Sequence, residues 1–209
     1  MPPHSIFLLS NMTNNIFWQQ ANVTSSDREK INSHKGAVIW LTGLSSSGKS
    51  TIALALEEQL FKTKYSSFIL DGDNIRHGLC KDLSFSIQDR KENIRRISEV
   101  SKLFCQAGII TIVSFISPIQ EDREFARTLV GPDKFFEVYC NCPLSECERR
   151  DVKGLYKKAR RGEIKEFTGI SSPYEAPNDP ELVIDTHLGV PDELVCKILY
   201  MLKTKNIIP

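Results

Sequence analysis

Two glycines, a lysine and a serine stand at a phosphate-binding spacing in Gly43-Leu44-Ser45-Ser46-Ser47-Gly48-Lys49-Ser50-Thr51, which fills every fixed position of G-x-x-x-x-G-K-[ST]. Glycines let the backbone turn its N–H groups inward, and a helix N-terminus behind them adds partial positive charge. Lys49 has the reach for β- and γ-phosphates, and the Ser50 hydroxyl is a hard oxygen ligand suited to Mg²⁺. The stretch predicts a bound nucleoside triphosphate. Further on, Asp71 and Asp73 flank Gly72. One carboxylate of such a pair poises or deprotonates an attacking hydroxyl, and the other holds Mg²⁺ through water or orients an arginine. The plainer alternative is a turn that only caps the next helix.

A cationic set follows in Arg76, Arg90, Asn93, Arg95 and Arg96. Arg90 and Asn93 are three apart and share a helix face, and an arginine fork suits bidentate capture of phosphate or sulfate. Arg95 and Arg96 read as solvated or paired side chains. Residues 149–161 carry Arg149, Arg150, Lys153, Lys157, Lys158, Arg160 and Arg161 against the single acid Asp151. Such a run is either a solvated helix face or a cationic lid that closes over phosphates and excludes water; the lid is the favoured reading. Phe85 and Phe167 lie in polar loops and suit stacking on a base.

These residues need a frame that brings them together. The apolar run 37–41 before the glycine loop reads as a strand, and residues 52–60 after it as a helix. A short strand at 67–70 ends at Asp71, placing the carboxylates at the carboxyl edge of a sheet, where ligands of α/β proteins sit. Residues 87–107 have helical spacing and stop at Gly108; 109–116 is β-branched and apolar enough for a central strand. A helix at 121–129, a strand at 134–140, a charged helix opened by Pro143, a loop at 162–180, a strand at 182–185 and a closing helix from Pro191 to Lys203 complete the pattern. Alternation of this kind predicts an α/β fold of three layers, the P-loop NTPase type, with a parallel β-sheet flanked by helices and a basic lid segment. The division expected is an N-terminal arm over 1–35, partly disordered at Met1-Pro2-Pro3, and a P-loop domain over 36–209 with its lid at about 149–177. Thr24-Ser25-Ser26-Asp27 carries capping residues for a short helix, and the apolar Ile16-Phe17-Trp18 should dock on the domain or on a second subunit.

Basic and acidic side chains number 27 and 26, a net charge of +1, which argues against a nucleic-acid or membrane-surface partner. No apolar run reaches the roughly 20 residues of a membrane span, and residues 6–9 are too short for a signal-peptide core. Cys140, Cys142 and Cys147 cluster, but no CxxC pair or nearby histidine completes a zinc set, so the thiols read as reduced and packed in a cytoplasmic protein.

Taken together the motifs resemble the adenylylsulfate kinase (APS kinase) family. The resemblance is carried by Asp27-Arg28-Glu29-Lys30, His34-Lys35-Gly36 and Val38-Ile39-Trp40-Leu41-Thr42-Gly43-Leu44-Ser45. It continues in Leu70-Asp71-Gly72-Asp73-Asn74-Ile75-Arg76-His77-Gly78-Leu79, Asp89-Arg90-Lys91-Glu92-Asn93 and Phe115-Ile116-Ser117-Pro118. Lys153-Gly154-Leu155-Tyr156, Phe167-Thr168-Gly169-Ile170 and Ser172-Pro173-Tyr174-Glu175-Ala176-Pro177 complete it.

The resemblance implies transfer of the ATP γ-phosphoryl group to the 3′-hydroxyl of adenylylsulfate, with Mg²⁺, in sulfate assimilation. It implies that Gly43, Leu44, Ser45, Ser46, Ser47, Gly48, Lys49, Ser50 and Thr51, with Arg149 and Arg160, hold ATP, and that Ser50 ligates Mg²⁺. Asp73 would position or deprotonate the hydroxyl, supported by Asp71, Lys49 and Lys153. Arg76, Arg90 and Asn93 would bind the phosphosulfate, Phe85 and Phe167 would sandwich the adenine, and Ile116, Ser117, Lys153 and Leu155 would line the same pocket. The family also nominates Ser117 as a phosphoserine position, although no base adjoins it in the sequence and direct in-line transfer needs none. A single kinase domain acting as a homodimer is implied. Family members usually carry glycine where Ser46 stands, so the loop is expected to demand left-handed geometry there. Gluconate- or shikimate-type kinases share the loop but need no pair of aromatic platforms, and a nucleotide sensor without transfer activity would have no use for Asp73.

Overall fold

Strand β1 (Ala37–Thr42) is buried along all six residues, as an apolar run covered on both faces must be. It lies in the middle of a parallel sheet ordered β2-β3-β1-β4-β5, with β2 (Ser67–Asp71), β3 (Ile110–Ser114), β4 (Phe135–Asn141) and β5 (Leu182–Asp185). The computed structural model describes residues 16–17 and 19–209. The disorder expected of the opening residues, and Trp18, lie outside the described residues.

The period of two along β1 divides the core. Ala37, Ile39 and Leu41 pack with Ile52, Ala53, Leu56 and Leu60 of α2 (Lys49–Lys62) and with Leu194, Val195 and Ile198 of α8 (Pro191–Thr204). Val38 and Trp40 face the other way, against Ile94 and Ile97 of α4 (Ile87–Gln106) and Ala126 of α5 (Gln120–Val130). Helices therefore cover both faces, each fully buried aliphatic side chain contributing about 1.5–3 kcal/mol. This is the three-layer α/β architecture of P-loop NTPases.

Register brings the functional loops to one edge. Leu41 and Asp71 both pair with Ser114, and Thr42 pairs with Tyr139, so β1, β2, β3 and β4 end at one level. Two features depart from expectation. Asp71 is the N-cap of a short helix, α3 (Gly72–Arg76), whose bounds the sequence pattern did not give. The basic run is not one helix but two, α6 (Leu144–Arg150) and α7 (Leu155–Arg160). Asp151 makes the break: its carboxylate accepts the backbone N–H groups of Tyr156 (3.0 Å) and Lys157 (3.1 Å), capping the second helix. A small core of Cys142, Cys147, Tyr156, Ala159 and Phe167 holds this region together.

Helix α1 (Ser25–Asn32) begins with a reciprocal capping box between Thr24 and Asp27. It is tied to the body through Ser25 Oγ to Gln106 O (3.1 Å) and Asn32 Nδ2 to Gly108 O (2.8 Å). Ile16 and Phe17 are exposed on this chain. All six cysteines are free thiols, five of them buried. Among the described residues no group of three or more His, Cys, Asp and Glu is placed to hold a metal, and no helix is long and apolar enough to cross a membrane.

Candidate active site

The glycine loop turns between β1 and α2 because two of its positions admit nothing larger. A Cβ on Gly43 would sit 2.7 Å from both Cys140 O and Ser47 Oγ. Gly48, at φ 93°, is the N-cap of α2 without a side-chain cap, so the first N–H groups of that helix are left facing the loop. Ser46 lies at φ 58°, the left-handed region, as the sequence led one to expect.

Lys49 is only 8% exposed. Its Nζ donates to Gly43 O (2.9 Å) and Leu44 O (2.6 Å), inside the loop's own curl. Burial pushes its ammonium down to about 8 from the ordinary lysine value of 10.5. Ser50 Oγ donates to Asp71 Oδ2 (2.9 Å), while Asp71 Oδ1 accepts the Asp73 N–H (3.0 Å). Asp71 thus both caps α3 and stands beside the Ser50 hydroxyl. A hydroxyl and a carboxylate in contact at a phosphate loop form the hard oxygen donor set that Mg²⁺ takes, with water completing its shell.

A cavity of about 490 Å³ opens over the loop, lined by Ser45, Ser46, Gly48, Lys49, Ser50 and Thr51. Its far wall is Arg150, Val152, Thr186, Gly189 and Pro191. Arg149 and Arg160 do not line it: Arg149 pairs with Glu146 (2.7 Å) and Arg160 with Glu148 (2.5 Å), both on the outer surface. Arg150 takes the inner position, donating to Thr186 O (2.9 Å) and Glu146 Oε1 (3.2 Å). Thr186 Oγ1 in turn donates to Ser47 O (2.6 Å), and the Tyr156 hydroxyl donates to Ser45 O (3.0 Å). Arg150 and Tyr156 were noted only as members of the basic run and of a motif, with no contact to the loop assigned, and Thr186 was not singled out. A signal did exist for Thr186, since it follows β5 at the same carboxyl edge that marks Asp71.

Lys153 Nζ pairs with Asp73 Oδ2, joining the segment between α6 and α7 to α3 across the mouth of the cavity. Arg76 lies with its guanidinium 4.4 Å from the centroid of the exposed Phe85 ring. Arg90 gathers separate loops: Nε donates to Phe85 O (2.8 Å), Nη2 to Glu166 O (2.7 Å) and Nη1 to Thr168 Oγ1 (2.7 Å). Its fork brackets both aromatics expected to sandwich a base. Phe167 itself is buried edge-to-face against Tyr156, centroids 5.0 Å apart, and Leu155 packs on the same cluster. Asn93 is 4% exposed, and its Oδ1 is a buried acceptor without a hydrogen-bond partner on the chain, which suits it to a donor on a ligand. Ser117 is 2% exposed and its hydroxyl accepts from Trp40 Nε1 (3.0 Å), while Ile116 O accepts from Thr42 Oγ1 (2.7 Å). Arg95 and Arg96 are paired, with Glu92 and with Asp82 and Glu92 respectively.

A phosphate loop backed by a buried lysine, facing an acidic and arginine-rich rim, is built to move phosphate between two ligands. Residues 35–185 match the model of the adenylylsulphate kinase family. The chain belongs to that family. An adenylyl-sulfate kinase of Oceanobacillus iheyensis is 55% identical over 198 residues, covering 95% of this chain and all of the relative. One of Clostridium acetobutylicum is also 55% identical, over 93% of this chain and 96% of the relative. Among solved structures, the Mycobacterium tuberculosis APS kinase CysC in complex with AMPPNP and APS superposes with a TM-score of 0.78 at 47% identity, over 81% of this chain and 99% of that one. A sugar kinase from Janibacter superposes at 18% identity and a TM-score of 0.57, a likeness of fold alone.

Proposed function

We propose that this adenylylsulfate kinase places the ATP phosphates on the loop 43–51 and the base against Arg150, Thr186 and Pro191, with adenylylsulfate on the side of Asp73, Arg76, Arg90 and Asn93. The reaction is ATP plus adenylylsulfate giving ADP and 3′-phosphoadenylylsulfate. The observation that carries the arrangement is the Asp73–Lys153 pair, which sets a carboxylate and an ammonium at the mouth of a cavity floored by the phosphate loop.

Each residue then has a physical task. Backbone N–H groups at the start of α2 and the Lys49 ammonium neutralise β- and γ-phosphate oxygens as charge spreads during transfer. Asp73 orients the ribose 3′-hydroxyl in line with the γ-phosphorus and takes up its proton. Lys153, released from Asp73, follows the transferring group, and residues 149–177 act as the lid that excludes water. Ser50 and Asp71 hold Mg²⁺, which when bound screens the phosphate charge. Asn93 Oδ1 supplies an acceptor, and Arg76 with Arg90 binds the phosphosulfate while Phe85 stacks on the acceptor base. Phe167 supports that base from the buried side. Ser117 stays a buried structural hydroxyl, because its partner is an indole N–H and not a base.

ADP release measured with and without adenylylsulfate tests the reading. Turnover is expected only with both substrates and divalent metal, and sugars are expected not to compete. Equal ADP release without adenylylsulfate would reject the acceptor assignment. We further propose that the chain works in the cytoplasm as a homodimer, with the exposed Ile16 and Phe17 covered by the second copy; a monomer by light scattering at micromolar concentration rejects the dimer.

A further inference from the structure

Strand β3 runs into a turn in which the carbonyls of residues 116–118 are each claimed by a side chain or loop from elsewhere. Ile116 O accepts the Thr42 hydroxyl at 2.7 Å. That bond uses the only hydroxyl proton of Thr42, so in its 3.0 Å contact with Tyr174 the phenol is the donor. Ser117 O accepts from Arg123 Nη1 (2.7 Å), and Pro118 O from the Glu175 N–H (2.8 Å). Arg123 also donates to Glu175 O (2.8 Å), and Glu175 Oε2 accepts the Gln120 N–H (2.7 Å).

Arg123 is 1% exposed and held by Glu137 Oε1 at 2.6 Å, so its fork has no freedom to swing. The turn it braces includes Ser117 at φ 39°, a conformation a serine keeps only when its surroundings over-determine it. Tyr174 is fixed as well, stacked on Tyr139 with centroids 6.1 Å apart. The strap around Tyr174 and Glu175 is therefore laced to the turn 116–120 by two direct bonds and by two bridges, through Thr42 and through Arg123, none of them involving a residue of the loop 43–51.

We infer that Arg123 and Tyr174 are positioning residues for the acceptor nucleotide. They clamp the turn holding Ile116 and Ser117 against the strap at 174–175, which sets the floor of the acceptor pocket and gives the lid a fixed C-terminal end. The inference rests on the proposed placement of adenylylsulfate beside Ile116 and Ser117. It goes beyond that placement by assigning specificity to two residues outside the set proposed to hold either substrate.

The test is steady-state kinetics on the full chain, varying adenylylsulfate and ATP separately, for the wild type, Arg123→Lys, Tyr174→Phe and Glu175→Ala. Loss of one or two net hydrogen bonds predicts a KM for adenylylsulfate raised roughly three- to tenfold with the KM for ATP within about twofold. Tyr174→Phe keeps the ring stack and Glu175→Ala lies at an exposed position, so both report even where Arg123→Lys does not fold. Amide exchange of the same variants should quicken at 116–120 and 174–175 and stay unchanged in the phosphate loop. Equal rises in both KM values, or a lowered Tm with both KM values unchanged, overturn the inference. Wild-type enzyme that ignores adenylylsulfate overturns the reaction itself, and the inference with it, a result distinct from an unsplit KM.

Discussion

The loop 43–51 and the residues facing it across the sheet edge are built differently. The loop is one continuous stretch, rooted in the fully buried β1, with Lys49 folded into its curl. The opposite side draws Asp73 from α3, Phe85 from a loop, Arg90 and Asn93 from α4, Ser117 from the end of β3, and Lys153 and Phe167 from the lid. Those segments are joined by long side chains: Lys153 to Asp73, and Arg90 to Phe85, Glu166 and Thr168. The core shapes the loop in advance, whereas the segments proposed to hold the acceptor are joined by reaching cations and, at 116–120, by the lacing to 174–175. A donor common to many kinases suits a fixed cradle, and a particular acceptor suits an assembly whose parts can vary independently.

If the donor half is a fixed cradle, removing its buried charge should have the largest effect. Lys49→Ala is expected to lower kcat more than about 10³-fold, read as ADP release, because the loop keeps its shape but loses its only buried ammonium. Wild-type rates in that variant would remove the loop from the chemistry. Asp73→Asn probes the acceptor half at the reacting hydroxyl. It should lower kcat by about 10²- to 10³-fold and change the KM for adenylylsulfate far less. A raised KM with unchanged kcat would make Asp73 a binding residue only.

The same contrast predicts where pH acts. Lys49 sits at about 8 in the fold against 10.5 for a free lysine, with burial as the main cause. Between about 8 and 10.5 the folded chain binds fewer protons than the unfolded one, so this group makes stability rise with pH across that window and leaves it flat below. Phosphate needs the charged form. Above about pH 8 ATP binding must therefore take up a proton, and affinity should fall by up to about tenfold per pH unit. Calorimetry of ATP binding at about pH 9, in buffers of different ionisation enthalpy, should show uptake approaching one proton, and almost none near pH 6.5. Absence of uptake at the higher pH would mean that the cradle does not desolvate its lysine.

The loop 43–51 was legible because its residues are neighbours in sequence, and spacing alone encodes their geometry. All five strands were legible too, since each is a short apolar run between turn signals. Tertiary placement was not. Arg149 and Arg150 look alike in sequence, yet the turn of about 100° between neighbours on α6 sets Arg150 to the cavity and leaves Arg149 outside. The two-helix lid was missed as well: a lone aspartate within a basic run reads as charge, while its work here is capping. Phe167 shows the limit in the other direction. It was singled out as an aromatic in a polar loop, and the structure buries it against Tyr156, a partner that no spacing rule connects to it.

The smallest expected effect bears on whether the cradle is as settled as its burial implies. Ser46 is its one residue that carries a side chain in the left-handed region, at φ 58°. A Cβ in that region costs about 1–2 kcal/mol, and glycine there gives back about 0.4–1 kcal/mol through the freer unfolded chain. Ser46→Gly should therefore stabilise the fold by up to about 1 kcal/mol and raise Tm by about 2–4 °C, with kcat within about twofold. A calorimetric scan and one turnover assay check both numbers. Should Tm rise while kcat drops tenfold or more, the Ser46 hydroxyl holds phosphate, and the strain is kept for function. Should neither change, the loop already absorbs the strain, and the donor half is more pliable than its burial implies.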